Sequence, residues 1–213
     1  MTVLNGHEIK KYIQEENLVS GYRESAFNAA SLDIHLGVTI LKEIAPPELR
    51  AGRRKIISLA KRDKLVMETV NISEESYVLR PGEFILAQSV EIFNLTKYIS
   101  AEYKLKSSMA RIGLEHLNAG WCDAGWHGSS LTLELKNITR YHVIVLHYLD
   151  KIGQMIFMKH KTVSMEHSYA TRGRYNKDRG VSGAKVDPVP ANVLVTDEEA
   201  EEQQAQSFRD MIS

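Results

Sequence analysis

The stretch "LTLELKN", residues 131–137, decides the fold class. Its leucines recur at 131, 133 and 135, so they share one face of an extended chain and leave Thr132 and Glu134 on the other. The same period of two appears on both sides of it. "SLDIHLGVTI" (31–40) alternates Leu32, Ile34 and Leu36 with Ser31, Asp33 and His35, the pattern of a half-buried strand, with Gly37 as a break. "YVLRPGEFILAQSVEIFNL" (77–95) reads as two strands joined at Pro81 and Gly82, because proline presets its own backbone angle and glycine accepts a positive one. "YISAEYKLKSS" (98–108) sets Ile99, Ala101, Tyr103 and Leu105 on one side, and "YHVIVLHYL" and "KIGQMIFMKH" supply two more strands. Short strands at regular spacing through residues 30–160 predict an all-β sandwich or barrel.

Helical signals are confined to the ends. Asn5, with Glu8 three residues on, has capping-box spacing, and Ile9 and Ile13 lie one turn apart, so a short N-terminal helix is expected. In "VTDEEAEEQQAQSFRDMIS" Thr196 and Glu199 repeat that spacing, acids fill the first turn, and Phe208, Met211 and Ile212 form a small apolar edge. The expected organisation is one domain over residues 1–190 and an acidic, helical tail over 191–213, docked weakly or on a neighbouring subunit. Within the domain, "LRAGRRKIISLAKRDK" (49–64) carries seven basic residues against one acid. It reads as a solvated insertion between strands, or as a contact for nucleic acid or a partner.

Bulk composition narrows the function. The chain of 213 residues is 43% hydrophobic and 25% charged, an ordinary globular balance. Its 27 Lys and Arg equal its 27 Asp and Glu, so no long-range field favours nucleic acid, and any anionic ligand must be met by a local cluster. No apolar run is long enough to span a membrane and the N-terminus has no signal-peptide core, so a cytoplasmic location is expected. One cysteine, Cys122, permits no internal disulfide and lacks the Cys-x-x-Cys pair of zinc-dependent nucleobase deaminases.

Three neighbouring signals are each ambiguous alone. Glu134 faces either solvent, the usual place for a strand glutamate, or a cavity. "KSSMARIG" (106–113) gathers Lys106, Ser107, Ser108 and Arg111, the charge, hydroxyls and guanidinium that a polyphosphate needs, or else forms a capped turn. In "NAGWCDAGWHG" (118–128) small residues allow close backbone approach, and Trp121 and Trp126 either wall off a flat ring or belong to the core.

Taken in order, Ser-Ser-x-Ala-Arg-x-Gly, Ala-Gly-Trp-x-Asp-x-Gly-Trp-x-Gly, Leu-Thr-Leu-Glu-Leu and Ile-Gly-Gln resemble the dCTP deaminase branch of the dUTPase-like superfamily. "SLDIHLG", "LRPGEFILA" and "RGRYNKDRGVSGAK" extend the resemblance over roughly residues 3 to 186. It implies a distorted β jelly roll, assembled as a homotrimer with nucleotide sites at subunit interfaces, magnesium carried on the triphosphate, and deamination without zinc. Glu134 then matches the base that takes a proton from the water attacking C4 of cytosine, a role helped by desolvation in a closed cleft. Ser107 and Arg111 match residues around that water and the triphosphate, with Lys106 and Ser108 beside them. Ala119 and Trp121 lie against the nucleotide, Asp123 matches the aspartate at the sugar, and Thr132 and Leu133 fall where the pyrimidine edge is read. Gln154 matches a nucleotide-contacting glutamine. Tyr169, Arg174 and Asp178 belong to a segment, 166–186, that is expected to be mobile and to close over the ligand.

The chain departs from the family pattern at several places. Lys106 stands where an arginine is usual, His35 replaces another arginine, and Asp178 stands where glutamine is common. The interval from Asp123 to Glu134 is one residue longer than usual, which a β-bulge near Ser129 and Ser130 would absorb without turning Glu134 away. The leading expectation is a dCTP deaminase forming dUTP and ammonia. The alternatives are a bifunctional enzyme releasing dUMP and pyrophosphate, towards which Ala119-Gly120-Trp121 points, and a catalytically silent nucleotide-binding module.

Overall fold

In the computed structural model the described residues are 1–46, 49, 55, 57 and 64–185. The acidic tail and most of the basic stretch 49–64 lie outside them. The chain divides into two compact units, one formed by Met1–Glu43 and Met67–Ser182, the other by Ile44–Val66 and Gly183–Ser213. In the second unit the described backbone includes a hydrogen bond from Ile44 N–H to the carbonyl of Val66, 2.9 Å long.

The first unit is built from twelve strands: β1 (Thr2–Val3), β2 (Val19–Ser20), β3 (Leu32–Glu43), β4 (Met67–Asn71), β5 (Tyr77–Leu79), β6 (Phe84–Asn94), β7 (Ile99–Leu105), β8 (Leu114–His116), β9 (Trp121–Cys122), β10 (His127–Asn137), β11 (Ile144–Leu146) and β12 (Lys151–Lys159). All strand pairs are antiparallel. The main sheet runs β8-β10-β6-β3-β12-β7-β9, and β5 and β11 form a separate ribbon. The all-β class expected from the alternation is therefore observed, and both halves of the 77–95 stretch are strands meeting at the Pro81–Gly82 turn.

Helix α1 (Gly6–Glu16) begins as its sequence predicts: the Asn5 side chain accepts from Glu8 N–H and the Glu8 carboxylate accepts from Asn5 N–H, while Ile9 and Ile13 are buried. Two shorter helices follow, α2 (Ser107–Arg111) and α3 (Tyr169–Arg172).

One strand reading needs correction. The first half of the 31–40 stretch is not half-buried: Ser31, Asp33 and His35 are buried along with Leu32, Ile34 and Leu36. Polar groups so placed require partners. His35 has one in Glu91, which accepts from the His35 backbone N–H at 3.0 Å and meets its Nδ1 at 2.7 Å. Burial raises the Glu91 carboxyl above the usual carboxylate range, although the His35 bonds oppose that shift.

The core is aromatic at its centre. Phe93 is fully buried, stacks on Trp126 with ring centroids 5.5 Å apart, and lies 6.5 Å from Phe157. Trp126 is therefore a core residue and does not wall off a ligand. Phe93→Ala should lower unfolding free energy by about 3–5 kcal/mol, read as an earlier urea midpoint with an unchanged slope.

Candidate active site

Glu134 is positioned by the alternation of β10. Leu131, Leu133 and Leu135 are buried, whereas Thr132 and Glu134 between them are half-buried. Pairing of β10 with β6 is irregular between His127 and Ser129 and again between Ser130 and Thr132. The first places one extra residue, Gly128, on β10 just before the two serines; the second places its extra residues on β6, between Gln88 and Ile92, and regular pairing resumes at Thr132. Glu134 thus lies in the regular part of the ladder, on the face opposite the leucines.

The Glu134 side chain retains a quarter of its exposure, yet its Oε2 is buried and has no hydrogen-bond partner. At 3.2 Å stands His116 Nε2, within ion-pair distance but off hydrogen-bond alignment, and it too is buried without such a partner. The His116 ring packs on Tyr103, centroids 4.7 Å apart, and Tyr103 Oη is a third buried polar atom left unpartnered. Burial, then the nearby Glu134 charge, holds the Tyr103 hydroxyl far above its ordinary range. Burial also pushes the Cys122 thiol up to about 12, with Asp123 and Glu134 adding to the shift. Cys122 is thus an inert wall and no nucleophile. The Tyr103 ring is laid across Gly153, where any Cβ would come within 2.1 Å of a ring carbon.

A second cluster surrounds Lys106. Its Nζ donates to Asp33 Oδ1 at 2.5 Å, Asn28 Nδ2 donates to the same oxygen at 2.7 Å, and Lys151 Nζ lies 3.2 Å from Oδ2. Burial works against the Asp33 charge, but hydrogen bonds from Lys106, Asn28 and Lys151 outweigh it and hold the carboxyl below the usual carboxylate range. Gln154 lies across from Asp33 in the β3–β12 pairing, and its Oε1 accepts from Ser31 Oγ at 3.3 Å. Immediately after Lys106, α2 presents Ser107, Ser108 and Arg111 as exposed side chains.

The remaining expected residues are distributed around these clusters. Ala119 is exposed, as are Trp121 and Asp123, and Trp121 Nε1 donates to Asp123 Oδ1 at 2.8 Å. Of the pair expected at the pyrimidine edge, Leu133 is fully buried in the core, so Thr132 alone presents its side chain beside Glu134. The segment carrying Tyr169, Arg174 and Asp178 lies along the first half of β10. Lys177 N–H donates to the His127 carbonyl, Ser130 N–H to the Asp178 carbonyl, and Ser182 N–H to Thr132 Oγ1. Gly125, at φ +90°, admits this segment: a Cβ there would stand 2.1 Å from Ser168 Oγ. Tyr169 is half-buried, which raises its hydroxyl above the ordinary range, and Arg174 is exposed.

Sequence reasoning missed His116, Tyr103, Asp33 and Lys151 as parts of these clusters. Only Asp33 left a usable signal, an acid within an otherwise strand-like run. Among the described residues no three His, Cys, Asp or Glu side chains group closely enough to hold a metal ion. Among them, too, no helix is long and apolar enough to cross a membrane.

Fold and site together define a curled antiparallel jelly roll bearing a half-buried strand carboxylate. A model of the dCTP deaminase-like family matches residues 3–160, and the chain belongs to that family. A relative from Nanoarchaeum equitans, named a dUMP-forming dCTP deaminase, is 31% identical over 196 residues, covering 86% of this chain and 97% of the relative. One of the same name from Sulfurihydrogenibium is 30% identical over 185 residues, with the same coverage. In structure, the 2'-deoxycytidine 5'-triphosphate deaminase of Agrobacterium tumefaciens superposes with a TM-score of 0.57 at 20% identity. That match covers 74% of this chain and 48% of the longer solved one, and it shows the fold.

Asp33→Asn should cost about 1–3 kcal/mol at neutral pH, since two ammonium groups lose their charged acceptor. A carboxyl whose folded pKa is depressed stabilises above its unfolded value, here 3.8, and loses that contribution as pH falls through the folded value. Urea unfolding of both proteins between pH 6 and pH 3 should therefore show the gap between them narrowing below about pH 4.

Proposed function

We propose that this protein is a hydrolase that deaminates dCTP and carries the nucleotide on to dUMP, releasing ammonia and pyrophosphate. The observation that carries the reading is the Glu134 carboxylate: aimed away from the core by β10, half-buried, and with one buried oxygen left without a hydrogen-bond partner. In the deamination, Glu134 takes a proton from water as the oxygen adds to C4 of cytosine. Glu134 passes that proton to the ring nitrogen N3, the hydroxyl proton of the adduct then goes to the amino group, the C4–N bond breaks, and ammonia leaves a C4 carbonyl beside a protonated N3. Cleavage between the α- and β-phosphates consumes a second water and gives dUMP and pyrophosphate.

Two features favour dUMP over dUTP as the end product. Relatives that match over 97% of their own length are named dUMP-forming. The Ala119-Gly120-Trp121 run also leads directly to Asp123, an exposed carboxylate at the rim that would orient the second water and the sugar.

The triphosphate is met by Lys106, Lys151 and α2. One buried carboxylate and two ammonium groups leave a local excess of one positive charge in a chain whose formal net charge is zero. Ser107, Ser108 and Arg111 add exposed donors beside it. The described residues do not form a protein-held metal site, so magnesium would enter on the phosphate oxygens and no step is routed through it. A homotrimer with sites completed between subunits fits a site whose side chains Arg111, Trp121, Asp123 and Arg174 are exposed in the single chain.

Incubation with dCTP and magnesium should yield dUMP, pyrophosphate and ammonia in equal amounts; dUTP accumulating as the end product would reassign the enzyme as a deaminase alone, and unchanged dCTP would leave only binding. Glu134→Gln should lower kcat by roughly 10²–10⁴-fold while nucleotide binding, measured by calorimetry, persists. Light scattering should return three times the 24.1 kDa chain mass.

A further inference from the structure

We infer that His116 is a positioning residue for Glu134, donating from Nε2 to Oε2 so that the other carboxylate oxygen is the one turned to the reacting water. This rests on the reading of Glu134 as the base.

The argument begins with two buried polar atoms. Glu134 Oε2 and His116 Nε2 lie 3.2 Å apart, and neither has another hydrogen-bond partner. Leaving either atom unpaired in a dry setting is costly, and each is the other's complement, one an acceptor and one a potential donor. Only alignment is lacking, and catalytic hydrogen bonds commonly tighten when ligand fills a site.

Position supports the pairing. His116 lies across from Leu135 in the β8–β10 ladder, and the next backbone N–H, that of Leu117, donates to the Glu134 carbonyl at 3.1 Å. His116 is thus tied to Glu134 by backbone as well as by side chain. Its ring has little freedom, because it is buried and packed on Tyr103, whose own ring is laid across Gly153. The chain Gly153, Tyr103, His116, Glu134 runs from β12 through β7 and β8 to β10 and fixes the carboxylate from behind. Nothing is transferred to or from the imidazole in this role. It holds one oxygen, and the proton taken from water goes to the other.

Two substitutions and one spectroscopic signal test this. His116→Phe keeps a ring against Tyr103 but offers no donor, whereas His116→Gln restores an N–H near the Nε2 position. The expected result is a fall in kcat of about 10–100-fold for His116→Phe with KM changed less than about threefold, and recovery of most of that loss in His116→Gln. In ring-labelled protein saturated with α,β-imido-dUTP, a protected Nε2–H resonance of His116 should be seen, and Glu134→Ala should abolish it. Wild-type kcat in His116→Phe, equal impairment of both variants, or a resonance indifferent to Glu134→Ala would each overturn the inference. If His116→Phe does not fold, His116→Gln activity near wild type together with the resonance decides for it, and loss of either decides against it. Should wild-type protein leave dCTP unchanged, the reading of the site fails, while the resonance still decides whether His116 and Glu134 are paired.

Discussion

Three leucines on β10 cannot leave the core without turning Glu134 with them. Leu131, Leu133 and Leu135 are buried, and each fully buried leucine is worth about 1.5–3 kcal/mol over an exposed one. Because side chains alternate, that energy is also the energy that fixes the direction of Glu134. A shift of one residue would expose the leucines and bury an unpaired carboxylate, two penalties of the same sign. The orientation of the proposed base is therefore inherited from the core, and the one extra β10 residue, Gly128, lies upstream of the regular pairing that begins at Thr132.

The local patterns were legible because they act through neighbours in sequence. The strand periods and the Asn5–Glu8 cap follow from geometry within a few residues, and the structure has both. What escaped reading depends on packing between elements distant in the chain. Alternation on β3 marks Ser31, Asp33 and His35 as one face, but it cannot say that this face is covered too, with Glu91 and Lys106 supplied from β6 and the end of β7. Trp126 was ambiguous for the same reason, since its stacking partner Phe93 lies more than thirty positions away. His116 sits in a three-residue strand too short to show a period, so nothing nearby tied it to Glu134.

Buried polarity in this fold divides into satisfied and unsatisfied groups. His35 and Glu91 satisfy one another deep in the sheet, and Asp33 is met by three donors. Around Glu134 the pattern reverses: Tyr103 Oη, His116 Nε2 and Glu134 Oε2 converge on one region with no hydrogen bond among them. Stability alone would favour apolar replacements there. Under the proposed function, water and a pyrimidine would supply the missing partners.

The departure at Lys106 and the burial of Asp33 belong to the same arrangement. An arginine at position 106 would offer a planar fork well matched to one carboxylate, and engaging Asp33 that way would occupy the edge needed by a phosphate. An ammonium has three N–H bonds in a rotatable group, so Lys106 can give one to Asp33 and keep two for an anion. Lys151, on the opposite side of Asp33, can do the same. Two tethered point charges thus share one buried carboxylate, and Asp33 is held deep enough that its own charge faces the lysines. The double-sided burial of β3 provides that depth.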